Sequence, residues 1–123
     1  MTFRRLSAGE LLRRIAVEPP AILSEEQRCL VRHALGLPPK RQGGVATRNY
    51  YRVSALVGAE ADQWREMEAR GLAISWQSEG WLCFAAGSAA VRTVLGWAEK
   101  VNTETLARTA QIDRQIKSRL RQK

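Results

Sequence analysis

The sequence predicts an α+β domain, mainly helical, with one small antiparallel hairpin. Three observations predict it. Two capping boxes, Ser7-x-x-Glu10 and Ser24-x-x-Gln27, each open a run with apolar residues at helical spacing. Short aromatic and branched runs flank a Ser-Glu-Gly turn between residues 73 and 85. A final stretch repeats Ile112, Ile116 and Leu120 among basic residues. At 123 residues the chain has the length of one domain and can bury a core without staples.

The first helix runs from Ser7 to about Val17, with Leu11, Leu12, Ile15 and Ala16 on one face and Pro19-Pro20 as its stop. The second starts at Ser24, carries Glu25 and Glu26 in its first turn and ends at Leu35. Its stripe is Leu30, Val31, Ala34 and Leu35. Gly36 is its exit residue. Residues 38–47 read as a loop broken by Gly43-Gly44, and Arg48 to Val53 as a short strand. A helix from about Ala59 to Arg70 presents Trp64 and Met67, and Gly71-Leu72 closes it. The hairpin places Ala73–Gln77 against Trp81–Ala85 around Ser78-Glu79-Gly80, with Leu82 and Phe84 expected opposite Ile74 and Trp76. A helix over about Ser88 to Trp97 follows. The last helix opens at Asn102 or Thr103 and reaches Lys123; Arg114, Lys117 and Arg121 form its basic stripe.

Helix, Gly-Leu exit, hairpin and helix, in that order over Trp64–Leu95, are the back half of a winged-helix domain. The expected organisation is therefore a helical, winged-helix-like domain over residues 1–97 and a basic amphipathic helix or tail over 98–123.

Charge and chemistry narrow the function. The net charge of +8 favours an acidic partner: nucleic acid, an anionic membrane or an acidic protein face. Lys40, Arg41, Arg48 and Arg52 stand in 40–58 without an acid, and seven bases stand against two acids in 100–123. The would-be recognition helix holds Glu60, Asp62, Glu66 and Glu68 against Arg65 and Arg70. The hairpin tip holds Glu79 and no base. Carboxylates beside phosphates oppose docking of that helix and wing on DNA. No apolar run approaches the ~20 residues of a membrane span, and the N-terminus lacks the apolar core of a secretory signal. Cys29 and Cys83 lack metal spacing and read as buried, reduced thiols. The expected location is the cytoplasm of a bacterial cell.

Catalytic material is sparse. His33 is the only histidine, and Gly43-Gly44 lacks the Lys-Ser/Thr and the strand–loop–helix context of a phosphate loop. The expectation is no enzyme, no cofactor and no metal site. Binding candidates are Lys40, Arg41, Arg48, Tyr50 and Arg52, a basic cluster with an aromatic pair able to hold a backbone and stack a base. Arg114, Lys117 and Arg121 join them from the last helix. Of the four tryptophans, Trp81 is expected to be exposed, as an anchor for a partner. Trp64, Trp76 and Trp97 are expected in the core.

LSEEQRCLVRHALGL (23–37), RNYY (48–51), MEARGL (67–72) and FAAGSAAV (84–91) together resemble a group of small uncharacterised phage and prophage proteins. The resemblance covers about residues 23–96. Ala86 stands where that group usually has Thr, which leaves Ser88 to cap the next helix. The resemblance implies a phage or mobile-element origin, no known activity and no catalytic residues to carry over. The expected function is a non-enzymatic accessory protein that binds a host protein or nucleoprotein complex with an acidic surface, with inhibition of a host defence system as one such role. A second copy of the chain is a further candidate partner. The alternative is a direct DNA- or RNA-binding transcriptional regulator of winged-helix type.

Overall fold

The computed structural model describes residues 21–39, 43–55 and 57–121. Among them the order is α1 (Glu25–Ala34), β1 (Gly44–Ala46), β2 (Tyr51–Arg52), α2 (Ala59–Ala69), β3 (Ala73–Ser78), β4 (Trp81–Ala86), α3 (Ser88–Val94), β5 (Glu99–Val101) and α4 (Thr103–Arg121). The helix expected over Ser7–Val17 lies outside the described residues, as do Lys40 and Arg41. The fold is α+β: β2-β4-β3 form an antiparallel sheet, and β1 and β5 pair in parallel. Strand β1 corrects the loop expected over 38–47: Gly44–Ala46 are extended because their backbone groups pair with Glu99–Val101, a partner far away in the chain.

Local chemistry starts and stops the helices. At α1 the capping box is made in full: Ser24 Oγ accepts from Gln27 N–H at 3.1 Å, and Gln27 Oε1 accepts from Ser24 N–H at 3.0 Å. Gln27 then reaches Glu66 on α2 at 2.6 Å, so a cap doubles as a helix–helix tie. Gly71 ends α2 with φ +75, and Leu72 N–H closes on Met67 C=O at 2.9 Å. That left-handed exit favours glycine because a Cβ crowds the backbone there.

The register of the hairpin decides which side chains share a face. The turn has two residues, Glu79-Gly80, with φ of +52 and +82, the sign pattern of a type I′ turn. The expected three-residue turn would shift the pairing. The actual register sets Ile74 opposite Ala85 and Trp76 opposite Cys83. Leu82 and Phe84 therefore face the other way from Ile74 and Trp76, which corrects the expected facing.

The inner face carries the main core. Phe84 stacks on Trp64 at 5.5 Å, Trp64 meets Tyr51 at 5.6 Å, and Tyr51 meets His33 edge-on at 5.1 Å. Val31, Ala34 and Leu35 of α1 and Val91 and Val94 of α3 complete it. The outer face is half covered by α4, whose Ile112 and Ile116 bury Ile74 and Ala85. The C-terminal helix thus packs along that seam. Gly87 allows the close approach: a Cβ there would stand 2.8 Å from Ile116 Cδ1. Ser88 does not cap α3 with its own side chain. Asp113 of α4 accepts from Ser88 N–H at 2.9 Å and from its hydroxyl at 2.6 Å.

A helix-turn-helix joins its helices by roughly three or four residues. Here residues 35–58, with β1 and β2, lie between α1 and α2. Only α2 lies between β2 and β3.

Trp97, expected in the core, is fully exposed. Helix α3 stops at Val94, not at Trp97, because buried Glu99 folds the chain back: its carboxylate accepts from Gly96 N–H at 2.7 Å. The same carboxylate forms a two-pronged pair with Arg32 at 2.6 and 2.8 Å, with both side chains buried. Arg32 also donates to Pro38 C=O and Val94 C=O. The pair thus ties α1, its exit loop, α3 and β5. Strand β5 and α4 lie beyond residue 97, so this tie crosses the 97/98 division.

Glu99→Ala strands the buried Arg32 charge and is expected to cost about 3–5 kcal/mol in urea unfolding; Arg32→Met with Glu99→Leu should recover most of it. Glu79→Asn relieves a left-handed glutamate at the turn. It is expected to add about 0.5–1 kcal/mol, read as a melting temperature raised by a few degrees.

Candidate functional site

The segment Arg48-Asn49-Tyr50-Tyr51-Arg52 enters the sheet with alternating side chains, and Asn49 fixes its position. Asn49 is buried; its Oδ1 accepts from Ala86 N–H at 2.9 Å, and its Nδ2 donates to Ala86 C=O at 2.8 Å and to Thr109 Oγ1 at 3.1 Å. Tyr50 N–H donates to Ala34 C=O at 3.2 Å, and the Arg48 guanidinium to His33 C=O at 3.0 Å. With Asn49 and Tyr51 turned inward, Arg48, Tyr50 and Arg52 are left exposed.

These three meet the half of the outer face that α4 leaves open. Arg52 pairs across the strands with Cys83, whose other partner is Trp76, and Trp81 follows two residues before Cys83 on the same face. The Arg52 guanidinium lies 4.3 Å from the Trp81 ring centroid, and that of Arg108 lies 5.5 Å from Trp76. Trp81 is 43% and Tyr50 46% exposed. A cleft of about 460 Å³ runs between the Arg48–Tyr50 segment and the start of α4, lined by Trp76, Cys83, Arg108 and Glu104. A second cleft, of about 310 Å³, shares Arg48 and Tyr50 and continues to Arg52. The result is one track of three rings and three guanidiniums.

Arg48, Tyr50, Arg52 and Trp81 are thus brought together. Arg114, Lys117 and Arg121 are exposed, but at roughly 100° per residue they fall on the side of α4 turned away from the Ile112–Ile116 seam and do not join the track. Arg108 and Trp76 do join it and were missed. Arg108 stands one turn before Ile112 at the edge of the apolar stripe, a signal that points to a groove rim once the packing of α4 is known. Trp76 is partly buried and forms the floor. Arg119, also basic, is committed to Glu68 at 3.2 Å and Ser75 C=O at 2.8 Å.

Elsewhere, an apolar cleft of about 400 Å³ lies between α1 and α2, lined by Cys29, Leu30, His33 and Ala59 with Glu25 and Glu26 at its rim. Cys29 is exposed there, contrary to the expected burial, because the buried face of α1 is centred on Val31 and Ala34; Cys83 is buried. Among the described residues no three His, Cys, Asp or Glu side chains are grouped to hold a metal ion, and no helix is long and apolar enough to cross a membrane. Arg70 beside Glu66 holds that carboxyl below the usual range, helped by Gln27. No protein-family model matches the chain, and neither does any curated protein or solved structure.

Burial, then the hydrogen bond to Glu60 at 2.9 Å, then the charge of that carboxylate push the Tyr51 phenol up to about 12. The fold favours the neutral phenol. Its contribution to stability is complete below the ordinary value of 10.0 and is lost as pH rises through about 12. Tyr50→Phe leaves Tyr51 as the only tyrosine. Its phenolate absorbance is expected to rise with a midpoint of about 12, and adding Glu60→Gln should bring that midpoint down. A midpoint already at the ordinary value in the single variant would contradict the partial burial of Tyr51 and its contact with Glu60.

Proposed function

We propose that the protein is a non-enzymatic accessory protein of phage or prophage type that binds a host nucleoprotein complex. The contact surface is the track of Arg48, Tyr50 and Arg52 with Trp76, Trp81 and Arg108. The observation that carries this reading is the stacking of Arg52 on Trp81, next to exposed Tyr50, on an otherwise open sheet face. Arginine, tryptophan and tyrosine near the centre of an interface are the residue types that dominate binding energies. The net charge of +8 supports an acidic partner. The sequence resemblance supports the phage origin, and interference with a host defence complex is the role that origin suggests. In this reading the β3–β4 hairpin with α2 is a winged-helix-like scaffold. Its acidic helix and Glu79 tip border the track and supply no positive charge to it.

The tagged full chain, passed through bacterial lysate with and without nuclease, tests this. Wild type is expected to retain a discrete complex. Arg48→Glu with Arg52→Glu, folded by circular dichroism, should retain about tenfold less, because like charge at the rim of an acidic partner is repelled. Equal retention by the reversed variant would remove the track from the binding surface.

A further inference from the structure

Resting on that reading, we propose that the track binds single-stranded nucleic acid directly, with Trp76 and Trp81 as two stacking stations and Tyr50 as a third ring beside them. The spacing carries the inference. Trp76 is the cross-strand partner of Cys83, and Trp81 lies two residues from Cys83 on the same face. Such diagonal neighbours stand about 7–8 Å apart. Successive nucleotides in a duplex strand rise ~3.4 Å, so two rings rooted on the backbone at this wider interval suit bases drawn apart from a regular stack. Only an unpaired, stretched strand offers base faces at that interval. A duplex hides its base faces and offers phosphates alone.

The arginines fit the same ligand. Each guanidinium now lies over the ring that a base would need: Arg52 over Trp81 and Arg108 over Trp76. When a strand binds, each guanidinium moves from ring to phosphate and the base takes its place on the ring. Charge and stacking are thereby supplied side by side at both stations. Arg48 lines both clefts beside Tyr50; one of its guanidinium nitrogens donates to His33 C=O, and its other donors supply a third phosphate contact. Glu104 and Glu60 belong to the linings of the two clefts, where they oppose phosphate and limit the site to a few nucleotides. An acidic peptide would satisfy the arginines but has nothing to lay on three rings.

The test is a titration of the full chain, followed by tryptophan emission, with oligothymidylate and oligouridylate of about ten nucleotides, inside the ~4–16-nucleotide range of single-stranded sites. A hairpin duplex and polyglutamate of matched charge are the comparisons. Quenching by either single strand, at least about tenfold tighter than by duplex or polyglutamate, is expected, and which sugar binds better separates RNA from DNA. Three phosphate contacts predict a log–log salt slope of about −2. Trp81→Leu should weaken binding roughly 5- to 150-fold, the range of one lost base–aromatic stack. Arg108→Ala should flatten the slope, and Arg114→Ala with Lys117→Ala, on the far side of α4, should change affinity less than about twofold. Equal binding of duplex, tighter binding of polyglutamate, or an unaltered Trp81→Leu variant would overturn the proposal. So would an absence of quenching at low salt. If lysate retention still depends on Arg48 and Arg52 after nuclease treatment while no oligonucleotide binds, the accessory-protein reading stands through a protein contact and this one fails.

Discussion

The carboxamide of Asn49 is the interaction on which the arrangement of this molecule depends. It meets both backbone groups of Ala86 and then the hydroxyl of Thr109. Strand β2 is only two residues long, too short to satisfy the full edge of β4. Buried backbone groups left unpaired cost about 1–3 kcal/mol each, so a side chain that imitates the next strand residue is worth more than one bond. Because Thr109 belongs to α4, the same amide draws the C-terminal helix onto the outer face. Thr109 in turn donates to Thr105 C=O at 2.8 Å, which leaves its hydroxyl free to accept from Asn49. One buried amide thus fixes the strand entry, the end of β4 and the pose of the last helix.

The binding track is a consequence of that placement. Strand alternation next to an inward Asn49 sends Arg48 and Tyr50 outward, and the next alternation does the same for Arg52. Helix α4 is held where its apolar seam covers Ile74 and Ala85 and stops short of Trp81. The sheet is left with one dry half, under Ile112 and Ile116, and one open half whose rings are shielded by guanidiniums. Stacked arginine keeps exposed indole from being a bare apolar patch. An ordinary solvated arginine face would need no rings. An ordinary core would not leave Trp81 and Tyr50 nearly half exposed.

Much of the framework was legible because its causes are local. The Ser24–Gln27 box, the Gly36 and Gly71 exits and the stripe Val31, Ala34, Leu35 involve residues within one or two turns of each other. The sheet faces were not legible, because one residue of turn length inverts them. Expecting Ser78 in the turn put Leu82 beside Trp76. The two-residue turn puts Cys83 there and makes Trp76 the floor of a cleft. Trp97 was misplaced for a long-range reason: Glu99, which looks like a surface acid, is buried by Arg32 from the far end of the domain and ends α3 early. Ser88 looked like a cap by position, but the carboxylate that holds it comes from Asp113.

What the sequence determined by itself is therefore the helices from Ser24 onward, the hairpin, their order and the residue types at Arg48, Tyr50, Arg52 and Trp81 that can hold and stack a ligand. These follow from hydrogen bonds and periodicities a few residues long. It did not show β1 and β5, whose backbones pair with each other across more than fifty residues. Only the tertiary structure decided which of the basic residues act together. It joined Arg108 and Trp76 to the track and turned Arg114, Lys117 and Arg121 away. The reason is physical: a helix presents bases on every side, and the choice among them is made by which side its apolar seam buries. That seam is set by contacts with Ile74, Ala85 and Asn49, tens of residues away in the chain.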